Sequence, residues 1–128
     1  MTVYSALEYI NTNSACHICT VEDPILATLP PRKALIQQRE VGLDIPNILA
    51  GIHAARKQDL DVLFVSEITC LEELQACITT AETGHLVIMM LNAVSKPEEV
   101  IQRLLDVFPE DLKDVSRRAL AGVLLGVS

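Results

Sequence analysis

The sequence predicts a three-layer α/β domain with a largely parallel sheet, and three observations carry that prediction. Two runs, Leu60–Val65 (LDVLFV) and His85–Leu91 (HLVIMML), are almost uninterrupted apolar stretches, the composition of strands buried on both faces of a parallel sheet. Segments with helical spacing of apolar residues separate and flank them. The connections are short, so strands and helices alternate along the chain.

The elements follow in order. Val3, Leu7 and Ile10 keep helical spacing, so residues 2–11 read as a helix that runs into the loop NTNSA. His17–Val21 is a short strand ending at Glu22-Asp23-Pro24, where the proline stops ladder donation. LATLPPRK, with Pro30-Pro31, is a loop of extended character. Ala34–Gln38 is a second strand, and Gly42 marks a turn. Asp44 is placed to cap a helix over Ile45–Lys57, with Pro46 tolerated in its first turn. The strand Leu60–Val65 leads to a helix over residues 71–82, for which Gly84 supplies the C-terminal cap. After the strand His85–Leu91, Ser95-Lys96-Pro97-Glu98 reads as a capping box opening a helix to about Val107. Phe108-Pro109 breaks it, and Asp111–Leu125 forms the last helix.

Composition narrows the function classes. The 128 residues fit one domain, 1–128, and half of them are hydrophobic, which excludes an intrinsically disordered chain. No apolar run approaches the roughly 18 residues that a membrane-spanning helix needs, and the start MTVYSALEYINTNS does not have the pattern of a signal peptide. A net charge of −7 argues against nucleic acid or an anionic membrane as the main partner. With 3% aromatics, an aromatic-lined groove is not expected either. Cys16 and Cys19 form C-x-x-C around His17, a spacing that suggests zinc. On a strand, however, side chains three apart point to opposite faces. Cys70 and Cys77 lie two turns apart on a helix. All four are therefore expected to be small structural residues, no metal site is expected, and a reduced cytoplasmic compartment follows.

Acidic residues stand at the ends of the predicted strands: Glu22 and Asp23 after the first, Asp61 opening the third, Glu67 just past its end. His85 begins the fourth. Ligands of parallel α/β sheets collect outside the carboxyl ends of strands, and an acid after an apolar strand is how nucleotide hydrolases hold magnesium and activate water. The competing reading is of plain loop and capping residues. Glu72-Glu73 and Glu110-Asp111 read as helix-start charges on the positive end of the dipole.

The segments CHICTVEDPI, LIQQREVGLD, DLDVLFVSE, AETGHLV and LLDVFPED, in this order, resemble the secretion ATPase superfamily of type II secretion and type IV pili. The likeness is greatest to the pilus-retraction (twitching-motility, PilT-type) ATPases and runs from about Thr2 to Ser128. It implies a RecA-like, P-loop-NTPase-like domain of hexameric motors that turn ATP hydrolysis into pilus movement. It also implies roles. TVEDPI corresponds to the family's Asp box, with Glu22 and Asp23 organising magnesium and water. Glu67 stands at the Walker B glutamate that polarises the attacking water. Asp61 matches the acid opening Walker B, His85 the first His-box histidine, and Gln38-Arg39-Glu40 the QRE segment.

The departures from the family pattern fall on the chemistry. The chain holds no G-x-x-x-x-G-K-[ST] loop, and its start resembles the remainder of the helix that follows that loop, so a truncated domain is expected. Without the loop there is no backbone cradle for phosphates and no lysine for them. Leu26 replaces a second Asp-box acid, and His53 and Lys57 stand at arginine positions. Ser66 replaces the Walker B glycine, Thr69-Cys70 an Arg-Asp pair, and Asn92 the second His-box histidine. The expectation is a catalytically silent ATPase-like domain, without cofactor, that acts through protein contacts. Its expected partners are a full-length pilus or secretion ATPase and further copies of itself, most simply as a dimer. The alternatives are residual Mg-ATP binding and hydrolysis through Glu67 and Glu22, or a remnant with no dedicated role. For His85 a hydrogen-bonded structural place is preferred.

Overall fold

The computed structural model describes residues 2–91 and 96–125. The elements run α1 (Thr2–Asn13), β1 (His17–Glu22), β2 (Leu35–Glu40), α2 (Ile48–Arg56), β3 (Val62–Val65), α3 (Leu71–Glu82), β4 (Leu86–Met89), α4 (Pro97–Asp106) and α5 (Lys113–Val123), with a 3₁₀ turn at Glu110–Leu112 before α5. The strands form one sheet of order β2-β1-β3-β4, and every pairing is parallel. Register sets Cys19 beside both Gln37 and Leu63, and Leu63 beside Val87.

Alternation along the strands divides the core into two layers. Ile18, Val62 and Phe64 face α1 and pack with Tyr4, Leu7, Leu29 and Ala34. Cys19, Val21, Leu63 and Val65 face the other way, onto Ile52 and Ala55 of α2 and Ala76 and Cys77 of α3. Leu104 and Leu105 of α4, Phe108 in the connection after it, and Leu120 of α5 then close over Leu74 and Ile78 on α3. The sheet is thus sandwiched between helices, as the two apolar runs require.

Differences from the sequence expectation have local causes. α2 starts at Ile48 rather than Ile45, because Asn47 is the cap: its side chain accepts from the Ala50 N–H at 2.8 Å. Asp44 is occupied elsewhere, its carboxylate accepting the Glu40 N–H at 2.9 Å. β1 and β2 run on to Glu22 and Glu40, two residues beyond the expected end for β2. The expected Ser95 cap lies outside the described residues, and α4 opens at Pro97 after Lys96, which makes no side-chain cap bond. Gly84 holds φ +93° just past α3, the conformation that a glycine takes after a helix end.

The long connection between β1 and β2 is tied down by buried Asn11. Its side-chain amide donates to the Pro30 carbonyl at 2.6 Å and its oxygen accepts from the Arg32 N–H at 3.1 Å. Its own carbonyl accepts from the Lys33 N–H. Both prolines therefore sit in a segment whose free backbone groups are satisfied by α1.

Gly51 sets how closely α2 approaches the sheet. A Cβ there would lie 2.5 Å from Ile45 Cδ1 and 2.7 Å from Val21 Cγ1. Ile45 can turn its chain end aside, but the β-branched Val21 on a buried strand cannot. Gly51→Ala is expected to lower stability by about 1–3 kcal/mol despite alanine's better helix propensity. Urea denaturation with an unchanged m-value is the measurement, and a stabilised variant would refute this packing account.

Candidate functional site

The carboxyl ends of β1 and β3 open into a cavity of about 220 Å³ lined by Asp23, Val41, Asn47, Ile48, Glu67, Thr69 and Glu73. This is the place where parallel sheets put ligands, though it is smaller than the roughly 300–1,000 Å³ usual for small-molecule sites. Three of the lining side chains are carboxylates, and among the described residues no lysine, arginine or histidine lines it. Asp23 is held by its backbone, whose N–H donates to Ser66 Oγ at 3.0 Å. The Ser66 N–H in turn donates to the Val21 carbonyl, so serine at this position clips the two strand ends together. Glu73 is buried in the first turn of α3, where its Oε2 accepts from the Thr69 N–H at 2.8 Å and from the Thr69 hydroxyl at 3.2 Å. Among the described residues the exposed Asp23 and Glu67 carboxylates accept no hydrogen bond.

The structure brings together two of the five residues singled out by sequence. Asp23 and Glu67 share the cavity. Glu22 does not: on β1 it alternates to the opposite face, beneath α1, and is fully buried. Its Oε1 accepts from the Tyr4 hydroxyl, and its Oε2 accepts from Thr20 Oγ1 at 2.6 Å and Gln38 Nε2 at 3.3 Å. Among the described residues it forms no ion pair. The Tyr4 oxygen also accepts from the Leu26 N–H at 3.2 Å. Burial, and after it the bond to Glu22, push the Tyr4 phenol above its usual pKa, so it stays a donor across the ordinary pH range.

Asp61 and His85 stand apart from the pair in the cavity. In an all-parallel sheet both precede their strands and lie at the end away from the cavity. The span from Asp61 to Glu67 is roughly 15–20 Å at the usual rise per residue. There Asp61 Oδ2 accepts from the His17 N–H at 2.9 Å, and His85 Nδ1 lies 3.0 Å from the Thr80 carbonyl, to which its N–H donates. Both tie strand beginnings to their surroundings. His53 and Lys57 sit at the far, C-terminal end of α2 and are exposed, so neither faces the cavity. Asn92 lies outside the described residues.

Gln38 and Glu40 act on the loop. Gln38 donates to the Ala27 carbonyl at 2.8 Å and accepts from the Leu29 N–H at 2.9 Å, while Glu40 Oε1 accepts from the Ile25 N–H at 2.9 Å. Sequence reasoning passed over Glu73 as a helix-start charge. Its position, three residues after the cap Cys70, is the spacing from which a glutamate reaches back to an unpaired N–H. That spacing was the available signal.

All four cysteines are unpaired thiols. Burial pushes the Cys19 thiol up, and burial with Glu73 nearby pushes Cys77 up to about 12. Among the described residues no three of His, Cys, Asp and Glu converge as metal ligands, and no helix is long and apolar enough to cross a membrane.

A profile of the family described as type II/IV secretion system protein matches residues 1–124. The Escherichia coli (strain K12) protein called uncharacterized protein YggR is 38% identical over 126 residues, 98% of this chain and 38% of that protein. The type IV pilus retractation ATPase PilT of Pseudomonas aeruginosa is 36% identical over 126 residues, again 98% of this chain and 36% of that protein. The chain therefore spans less than two-fifths of the length of either relative. Among solved structures, the crystal structure of the pilus retraction motor PilT with bound ADP superposes with a TM-score of 0.92 at 36% identity, over 96% of this chain and 36% of that one. The Legionella pneumophila ATPase DotB, at 22% identity and a TM-score of 0.87, shares the fold. The sheet and its helices are those of the RecA-like ATPase fold.

Two outcomes follow from this geometry. Tyr4→Phe leaves Glu22 Oε1 and the Leu26 N–H without their partner and should cost about 1–3 kcal/mol in urea denaturation; a neutral effect would refute the clamp. In the native protein at pH 8, alkylation followed by mass spectrometry should label Cys16 and Cys70 well before Cys19 and Cys77, because Cys19 and Cys77 are buried while Cys16 and Cys70 are partly exposed. Labelling of Cys77 at the rate seen in denatured protein would contradict its placement.

Proposed function

The chain belongs to the type II/IV secretion system protein family, and we propose that within it this domain does not turn over ATP by its own residues and acts through protein–protein contacts in a type IV pilus or type II secretion setting. The observation that carries the reading is the strand-end cavity, whose charged lining among the described residues is Asp23, Glu67 and Glu73, with no cation. Phosphoryl transfer is catalysed mainly by positioning and by positive charge around the transferring group. Carboxylates alone repel a nucleotide's phosphates, and removing a single transition-state donor commonly costs ~100- to 1000-fold in rate. The residues present do not fit a magnesium nucleotide, so no chemical step is assigned to one. Glu22 supports the same reading, since its carboxyl group already serves Tyr4, Thr20 and Gln38 inside the core.

The free cysteines, two of them buried, support a reducing, cytoplasmic setting. The contacts in this reading are with a pilus or secretion ATPase or with further copies of the chain.

One observation favours a second reading. Asp23 and Glu67 face one cavity with unbonded carboxylates, and one or two carboxylates with phosphate oxygens are how magnesium is commonly held. Residual nucleotide hydrolysis would rest on that pair.

Isothermal titration of ATP and ADP, each with and without magnesium, separates the two. The expected outcome is no saturable heat up to about 100 μM ligand, which corresponds to affinity weaker than roughly −5.5 kcal/mol, and no phosphate release above buffer. Micromolar binding with magnesium-dependent turnover that Glu67→Gln abolishes would establish the second reading instead.

A further inference from the structure

Among the described residues, three buried side-chain atoms have no hydrogen-bond partner: His17 Nε2, Gln37 Oε1 and Gln58 Oε1. They belong to one face of the sheet. Cys19 and Val21 face α2, so alternation along β1 turns His17 the same way. Gln37 stands in register beside Cys19 and shares that face. Gln58 follows Ala55, which packs on the sheet, by three residues, and so continues the sheet-facing side of α2 toward the strand beginnings. His17 Nδ1 lies 3.1 Å from the Asp59 carbonyl, to which its N–H donates. That bond sets the imidazole against the residue next to Gln58.

The three atoms are of one kind. With the Nδ1 proton given to Asp59, the neutral imidazole presents a lone pair at Nε2, and the two amide oxygens are acceptors as well. Acceptors do not satisfy one another, and a buried one without a donor carries its full desolvation cost. Each is enclosed by the chain's own atoms, so a donor from water or from outside the chain reaches it only when the covering segment moves.

We infer that Arg56–Asp59 is a strap that lifts off the beginning of β1, hinged at Ala55 and Leu60, and opens well before the rest of the domain unfolds. Ala55 and Leu60 are buried in the core on either side of it. Between them the chain reads Arg56-Lys57-Gln58-Asp59, without an apolar residue, and Lys57 and Asp59 are exposed. Little hydrophobic burial therefore opposes the movement, which is the mark of a segment with low local stability. Its backbone is held by few bonds: the Lys57 and Gln58 N–H groups donate to Ala54 and Ala55 at 3.3 and 3.1 Å, and the Leu60 N–H turns back to the Gln58 carbonyl at 2.9 Å. Lifting breaks these and the His17–Asp59 bond, and in return wets Gln58 Oε1 and His17 Nε2 and uncovers the contact that Gln37 borders. The strap sits at the end of the sheet away from the cavity, so the inference holds whether or not that cavity takes a nucleotide.

The test is native-state hydrogen exchange of the 128-residue chain, read residue by residue by NMR. Corrected for intrinsic rates, the Lys57, Gln58 and Leu60 amides should exchange at least about a hundredfold faster than those of Ala76, Cys77 and Ile78 in α3. A place near a helix end supplies part of that difference by itself, so two variants decide. Gln58→Met and Gln37→Met each exchange an unpartnered acceptor for an apolar chain of similar length. Each should slow exchange of the strap amides about tenfold. Gln75→Met, on the exposed side of α3, should leave them unchanged. If one glutamine variant fails to fold, the other carries the test. Strap amides as slow as those of α3, or a folded glutamine variant that leaves their exchange unchanged or speeds it, would each overturn the proposal.

Discussion

The carboxyl group of Glu22 is the interaction on which the rest of the architecture leans. It is fully buried at the end of β1, and burying such a group costs several kcal/mol unless its oxygens are bonded. Its partners come from three separate places: Tyr4 on α1, Thr20 on the same strand and Gln38 on β2. Meeting the carboxyl's requirement therefore sets α1 against the sheet and β2 against β1. Tyr4 passes the constraint outward by accepting from the Leu26 N–H and by packing edge-on against Phe64 at 6.0 Å between ring centroids. Gln38 passes it onward by gripping Ala27 and Leu29. A loop with two consecutive prolines and few backbone donors thereby acquires a defined path, completed by Asn11 at its far end.

This hub was invisible to periodicity. The apolar runs announced β3 and β4 because a strand buried on both faces needs no polar residue, and the spacing of Val3, Leu7 and Ile10 announced α1. α3 was legible to the residue, from Leu71 to Glu82, since a long amphipathic segment with acids in its first turn and a glycine beyond its end satisfies every local rule at once. Asp44 failed as a cap because a neighbouring strand end, the Glu40 N–H, competed for it; only tertiary structure arbitrates between two unpaired donors. Glu22 lies apart from the cavity for a comparable reason. Alternation along a strand determines the face, and Glu22 and Asp23, adjacent in sequence, fall on opposite sides of the sheet.

Placement along the strands explains what sequence proximity to an apolar run could not. Asp61 and Glu67 flank the same four-residue strand, and a parallel sheet gives its two ends different fates. The carboxyl end gathers Asp23, Glu67 and Glu73 around a cavity. The amino end uses Asp61 to bond the His17 N–H and His85 to bond the Thr80 carbonyl. The sequence already set Asp61 at the opening of that strand and Glu67 past its end, and the parallel pairing of the whole sheet turns that order into two separate places.

The acidic residues share one further trait. Glu40 accepts from Ile25, Asp44 from Glu40, Asp61 from His17 and Glu73 from Thr69, each through a backbone N–H that the strands and helices leave unpaired. A carboxylate is the strongest side-chain acceptor for such a donor, and the arrangement needs neither a cation nor a phosphate. In a family whose motors work on nucleotide, acids at strand ends invite a catalytic interpretation. Here four of them are consumed by backbone donors and a fifth, Glu22, by the core. A residue so engaged resists replacement for reasons of folding, and its identity says nothing about turnover. Resemblance in these segments accordingly carries the fold further than it carries the chemistry, and the chemistry has to be argued from Asp23 and Glu67, the unbonded carboxylates among the described residues that line the strand-end cavity.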